Sequence, residues 1–93
     1  MKIRHRSGET KGEFYYETNG EVKAKMTYSK LGTRQIIIDH TEVSDELRGK
    51  SVGKALVEYG VEYARENSLK VIPLCPFAKS IIERDTSLQD VLR

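Results

Sequence analysis

A chain of 93 residues with 38% hydrophobic and 32% charged side chains has the balance of a folded protein, and it is too short for two cores that would each offset chain entropy. A formal net charge of +2 excludes the dense basic face of a phosphate-tracking nucleic-acid binder. The lone Cys75 excludes an internal disulfide, and no apolar run follows the basic start MKIRHRSGET to act as signal or anchor, so the expectation is one cytoplasmic domain over residues 1–93 without membrane contact.

Taken in order, Gly12–Thr18 (GEFYYET) is aromatic-rich and ends at Asn19-Gly20, a dipeptide suited to a two-residue hairpin turn with positive φ at both positions. The return strand Glu21–Ser29 alternates, with Val22, Ala24, Met26 and Tyr28 on one face and Lys23, Lys25 and Thr27 on the other. After a turn at Lys30-Leu31-Gly32, Thr33–Val43 carries three consecutive isoleucines, as a strand covered on both sides does. Strict alternation places Ile36, Ile38, His40 and Glu42 on one face of it and Ile37, Asp39, Thr41 and Val43 on the other.

From Val52 the apolar positions recur at helical spacing through Ala64, with Lys54, Glu58, Glu62 and Arg65 outside the stripe. Gly60 within it costs about 1 kcal/mol relative to alanine, so either close packing on the sheet or simple tolerance explains it. Lys70–Leu74 reads as a short strand, Phe77 to about Arg84 as a second helix, and the tail TSLQDVLR as one further turn capped at Thr86 or Ser87. The order is three strands, helix, strand, helix: an α+β fold in which antiparallel strands lead into a right-handed β-α-β crossover with a C-terminal helix.

The loop LRGKSVGKAL lies between the isoleucine strand and the first helix, where unpaired N–H groups and the positive end of the helix dipole converge. Gly49 and Gly53 admit close approach of a ligand, and Arg48, Lys50 and Lys54 add cations, a combination suited to pyrophosphate. An ordinary solvated loop with surface lysines has the same pattern. The P-loop spacing G-x-x-x-x-G-K-[ST] and the dinucleotide fingerprint G-x-G-x-x-G are both absent.

The stretch VSDELRGKSVGKAL, with HTEV at His40–Val43 and IPLCPFAKSIIE at Ile72–Glu83, resembles the small single-domain members of the GNAT acetyltransferase superfamily and its motif R/Q-x-x-G-x-G/A. The resemblance implies acetyl-coenzyme A as cofactor, with Val43 pairing its backbone to the pantetheine arm. It also implies that amides of Arg48, Gly49, Lys50, Ser51, Val52, Gly53 and Lys54 hold the pyrophosphate, and that a splay opens between the central strand and its parallel neighbour. Pro73, which cannot donate in a ladder, fits that open seam. Ser51 departs from the usual glycine and, disliking positive φ, implies an altered turn or weaker binding.

Acetyl transfer needs a neutral amine, a polarised carbonyl and a proton for the leaving thiolate. His40 and Glu42 are the candidate proton acceptors, with a sheet-bonded histidine and a solvated glutamate as the plain alternatives. Cys75, just past the strand end and before a helix, is placed to donate a proton, to accept the acetyl group, or merely to pack. No tyrosine follows Tyr63, so the general acid common in the superfamily has no counterpart. Phe77, Lys79 and Ser80 in the first turn of the second helix are candidates to line the cofactor path. The implied function is an acetyl-coenzyme A-dependent N-acetyltransferase acting on a primary amine, the alternative a coenzyme A-binding module without catalysis. Neither a metal nor a nucleic acid is implied.

Overall fold

The computed structural model describes residues 2–93. Strands β1 (Ile3–Ser7), β2 (Lys11–Thr18), β3 (Glu21–Leu31) and β4 (Gln35–Val43) form an antiparallel meander, and a short 3-10 turn, Asp45–Leu47, leads to helix α1 (Val52–Glu66). Strand β5 (Lys70–Pro73), helix α2 (Pro76–Glu83) and a 3-10 segment, Thr86–Val91, complete the chain. The sheet order is β1-β2-β3-β4-β5, with β5 parallel to β4 through the α1 crossover, as the residue pattern indicates.

Sequence reasoning missed β1, although Ile3, His5 and Ser7 alternate with Arg4 and Arg6 as an amphipathic strand should. Its inner side chains are small or ambivalent, so the apolar signal is weak. His5 nonetheless stacks on Phe14 with ring centroids 4.3 Å apart, and its Nε2 lies 2.6 Å from the Tyr28 hydroxyl. The Asn19-Gly20 turn is as expected, with φ of 53° and 76°.

One apolar cluster fills the space between the sheet and the two helices, centred on Phe14, Met26, Ile38, Leu56 and Ile82. Gly60 belongs to it. A Cβ there would sit 2.6 Å from Met26 Cε, so the glycine permits close helix-to-sheet packing. The opposite face of the sheet, which carries Arg4, Arg6, Glu13, Lys25 and Thr27, is covered by no element among the described residues. The isoleucine strand is therefore fully covered on one side only, with Ile36 and Ile38 inside and Ile37 half-buried.

Two bulges correct the strict alternation. In β3 the pairing steps from Tyr16↔Ala24 to Glu17↔Val22, which inserts Lys23 and leaves Val22 exposed and outside the core. In β4 it steps from Tyr28↔Ile38 to Thr27↔His40, so Asp39 is the extra residue. An inserted residue reverses the faces beyond it. Thr41 and Val43, not His40 and Glu42, therefore share the helix side with Ile36 and Ile38.

The tail differs in its cap. Asp85, rather than Thr86 or Ser87, holds the 3-10 segment, its Oδ1 accepting from the Ser87 amide at 2.9 Å and the Ser87 hydroxyl at 2.6 Å. No helix of the described residues is long and apolar enough to cross a membrane.

Candidate functional site

The seam between β4 and β5 closes at Ile38↔Pro73, the last pair of their ladder. There the Ile38 carbonyl accepts from the amides of both Leu74 and Cys75, each at 3.1 Å, and the two strands part. From Asp39 to Val43, β4 pairs with β3 alone, and among the described residues its other edge has no strand beside it. An extended ligand could add to that edge by main-chain pairing.

At the foot of the edge lies a cleft of about 590 Å³ lined by Thr41, Val43, Leu47, Phe77, Ile81 and the loop residues Arg48, Gly49 and Ser51 through Lys54, with the expected Lys50 outside the lining. The loop ends at Ser51, which sits in the left-handed region at φ 60°, ψ 23° as N-cap of α1. Serine thus adopts here a positive φ that glycine reaches more easily. The strain is accommodated in place, and the Ser51 side chain caps nothing. Among the described residues the amides of Val52, Gly53 and Lys54 consequently have no acceptor, at the end of the helix where its dipole is positive.

Gly49 is also left-handed at φ 81°, with open space on its Cβ side. Gly53 has a different reason to be glycine. A Cβ would lie 2.7 Å from the Phe77 ring and 3.4 Å from Val43 Cγ2, so the glycine lets α1, α2 and β4 meet at the cleft floor. Lys54 is exposed at the rim, Lys50 is exposed on the loop outside the lining, and exposed Arg48 pairs with Asp45 at 2.9 Å, a surface contact that an incoming anion can readily replace.

Inside the opening, Cys75 is the N-cap of α2 and only 6% exposed. Its thiol donates to Thr41 Oγ1 across the seam at 3.4 Å. Burial raises the thiol pKa, but the Thr41 hydroxyl and the amides of Ala78, Phe77 and Thr41 favour the thiolate and together hold it below the ordinary value. Thr41 was not singled out from sequence, where strict alternation grouped His40 instead with the buried Ile36 and Ile38. Leu47 and Ile81 were missed as well. The helical i, i+4 spacing of Phe77 and Ile81 was the available signal for the latter.

The remaining expected residues disperse. Lys79 and Ser80 do not line the cleft. Lys79 borders a separate hollow beside Ile72–Leu74. His40 and Glu42 lie on the bare face of the sheet, Glu42 within 3.9 Å of Lys25 Nζ, so β4 itself separates them from Cys75. Tyr59 and Tyr63 pack on Phe14, with centroids 5.7 and 5.5 Å away, beyond the first turn of α1.

A family model described as GCN5-related N-acetyl-transferase matches residues 13–91. A solution structure of a GCN5-like protein from Staphylococcus aureus superimposes with a TM-score of 0.74 at 45% identity, covering 97% of this chain and 87% of that one. An aminoglycoside N-acetyltransferase solved in complex with coenzyme A shares the fold at TM-score 0.65 and 9% identity, over 99% of this chain and 94% of its own. The NATD1 protein of Danio rerio is 24% identical over 85 residues, which span 90% of this chain and 77% of that protein.

Proposed function

The chain belongs to the GCN5-related N-acetyltransferase family, and on that premise we propose that it moves an acetyl group from acetyl-coenzyme A to a primary amine by direct attack. The observation that carries this reading is the alignment of three features along one path. They are the uncapped amides of Val52, Gly53 and Lys54, the unpaired edge of β4 from Asp39 to Val43, and the Cys75–Thr41 pair where that edge meets β5.

The residues present fit the cofactor: free amides at a helix start, a left-handed Gly49 with space above it, and the cations Arg48 and Lys54 at the rim. In this reading Val52, Gly53 and Lys54 bind the pyrophosphate, with Arg48, Lys50 and Lys54 supplying charge around it, and the Val43 side of β4 orients the pantetheine arm. When bound, acetyl-coenzyme A supplies an acyl carbon activated as a thioester.

Cys75 holds a proton at Sγ and releases it more readily than an ordinary thiol. That is the property required of a general acid serving a thiolate leaving group, and it fills the place for which no tyrosine is available. Thr41 orients that sulfur. His40, exposed on the opposite face at the open edge, is the group we assign to take the amine's proton, because its imidazole offers a nitrogen lone pair beside that edge. Glu42 is the weaker choice, since it is exposed and faces Lys25.

Calorimetric titration tests the binding half: acetyl-coenzyme A should bind at least tenfold tighter than ADP, and equal affinities would remove the reading. For the chemical half, labelled acetyl-coenzyme A incubated with amine acceptors should give steady turnover. Cys75→Ala should retain cofactor affinity but lose roughly 10²-fold or more in rate, the contribution of one proton-transfer group. Binding without turnover toward any acceptor would leave a coenzyme A-binding module instead.

A further inference from the structure

The bare face of the sheet carries a second cleft, of about 630 Å³, that runs across the strands. The cross-strand register aligns Arg6, Glu13, Thr27 and His40 in one row from β1 to β4, with Lys11, Ser29 and Asp39 beside it. The row ends at the part of β4 that has no β5 neighbour. The inner end of this cleft and the Cys75–Thr41 pair therefore lie on opposite sides of one open edge.

The β4 bulge sets the charge at that inner end. Asp39 is the inserted residue, and its Oδ2 accepts a hydrogen bond from Ser29 Oγ at 2.8 Å. Among the described residues no cation pairs with it. The other carboxylate of the cleft, Glu13, is neutralised by Arg6 at 2.6 Å, and that guanidinium also stacks 4.2 Å above the Tyr15 ring. Among the described residues no side chain pairs with Lys11, which stands on β2, two strands from Asp39, about 10 Å at ordinary strand spacing. The cleft thus offers one free carboxylate beside the seam and one free cation farther out, with the remaining charges internally matched.

We propose that this cleft is the acceptor subsite and that it selects short zwitterionic amines, Asp39 receiving the ammonium and Lys11 a carboxylate at the far end of the acceptor. The name acceptor rests on the acetyl-transfer reading, whereas the binding preference does not. A neutral amine lacks the charge that Asp39 favours, and a diamine of the same length would set its second ammonium against Lys11.

Isotope-labelled protein titrated with ε-aminocaproate, hexylamine and hexanoate tests the inference by NMR. ε-Aminocaproate should move the amide resonances of Thr27, Ser29, Asp39 and His40, and should bind roughly tenfold tighter than either singly charged probe, as expected of one further charge-assisted contact. Asp39→Asn should weaken ε-aminocaproate and hexylamine by about the same factor and leave hexanoate unchanged, while Lys11→Met should weaken ε-aminocaproate and hexanoate only. Equal binding of the three probes, or shifts that avoid this cleft, would overturn the proposal. Coenzyme A added to the same sample separates the two readings through the Val52–Lys54 amides. If those move while the cleft stays silent, the acceptor subsite fails alone. If the cleft responds and they do not, the acetyl-transfer reading fails and the amine site stands.

Discussion

One residue of the candidate site holds a backbone conformation that costs free energy. Ser51 occupies the left-handed region, which is unfavourable for a residue with a Cβ by about 1 to 2 kcal/mol. Because its hydroxyl caps nothing, Ser51→Gly removes that strain without removing a bond, although glycine's greater freedom in the unfolded chain cancels part of the gain. The net expectation is a stabilisation of about 0.5 to 1 kcal/mol, read as a higher urea midpoint at unchanged slope, with coenzyme A affinity kept or improved. Thr41 shows a similar economy from the other side of the seam: one hydroxyl and one amide help offset the burial that would otherwise raise Cys75. Thr41→Val keeps the shape and removes the hydroxyl, so the pH profile of Cys75 alkylation should move upward, while Thr41→Ser should hold it near the wild-type position. An unchanged profile in the valine variant would show that the helix amides alone set the thiol.

At the scale of strands and helices, periodicity made most of the fold legible. The hairpin at Asn19-Gly20, the isoleucine strand, the start of α1 at Val52 and the parallel β5 all carry local signals that tertiary packing agrees with. The bulges carry none, because a residue inserted at Asp39 leaves the same letters in the same order, and only pairing with β3 shows that the faces have exchanged. That single insertion decides which side of β4 carries Thr41 and which carries His40, so the loop residues of the site could be read from sequence while its side-chain partners could not. Packing between strands is equally hidden. Gly12 pairs with Tyr28, whose ring lies over it so closely that a Cβ would overlap the ring carbons and the hydroxyl. Tyr28 is fully buried and tied to His5, so it has nowhere to move, and Gly12→Ala should destabilise by about 2 to 3 kcal/mol through overpacking. Strand β1 is fastened by the same cluster. Burial, and then the nearby charge of Lys30, lowers the pKa of His5, so the folded chain takes up that proton less readily than the unfolded one. This contribution is complete above the unfolded value of about 6.5 and is lost as pH falls through the lower folded one. Denaturation midpoints should therefore drop on acidification through that window in the wild type, and less so in His5→Gln.

For the whole molecule the governing fact is that both helices lie on one side of a five-stranded sheet, so a single apolar layer must stabilise the chain. The last residues complete that layer. Leu88 and Val91 are buried, Leu92 adds a parallel bridge to Val71 on the outer edge of β5, and the Arg93 amide donates to the Val71 carbonyl at 3.3 Å. Arg65 of α1 clamps the segment with two bonds to the Asp90 carboxylate, at 2.8 and 2.6 Å, and a third to the Ser87 carbonyl at 3.0 Å. The ionic and apolar parts of this closure should separate by experiment. Exposed ion pairs are screened by salt and buried side chains are not. Arg65→Gln should thus lower the melting temperature modestly at low ionic strength and much less in molar salt, whereas Leu88→Ala should cost about 2 to 4 kcal/mol at either. Removing residues 86–93 takes away both buried side chains, about 1.5 to 3 kcal/mol each, from a total that for small chains is typically about 5 to 15 kcal/mol. It also bares the edge of β5 for pairing with another copy. The shortened chain should be partly unfolded and self-associating at room temperature by light scattering; if it stays monomeric and melts like the full chain, the tail closes nothing and the layer is complete without it.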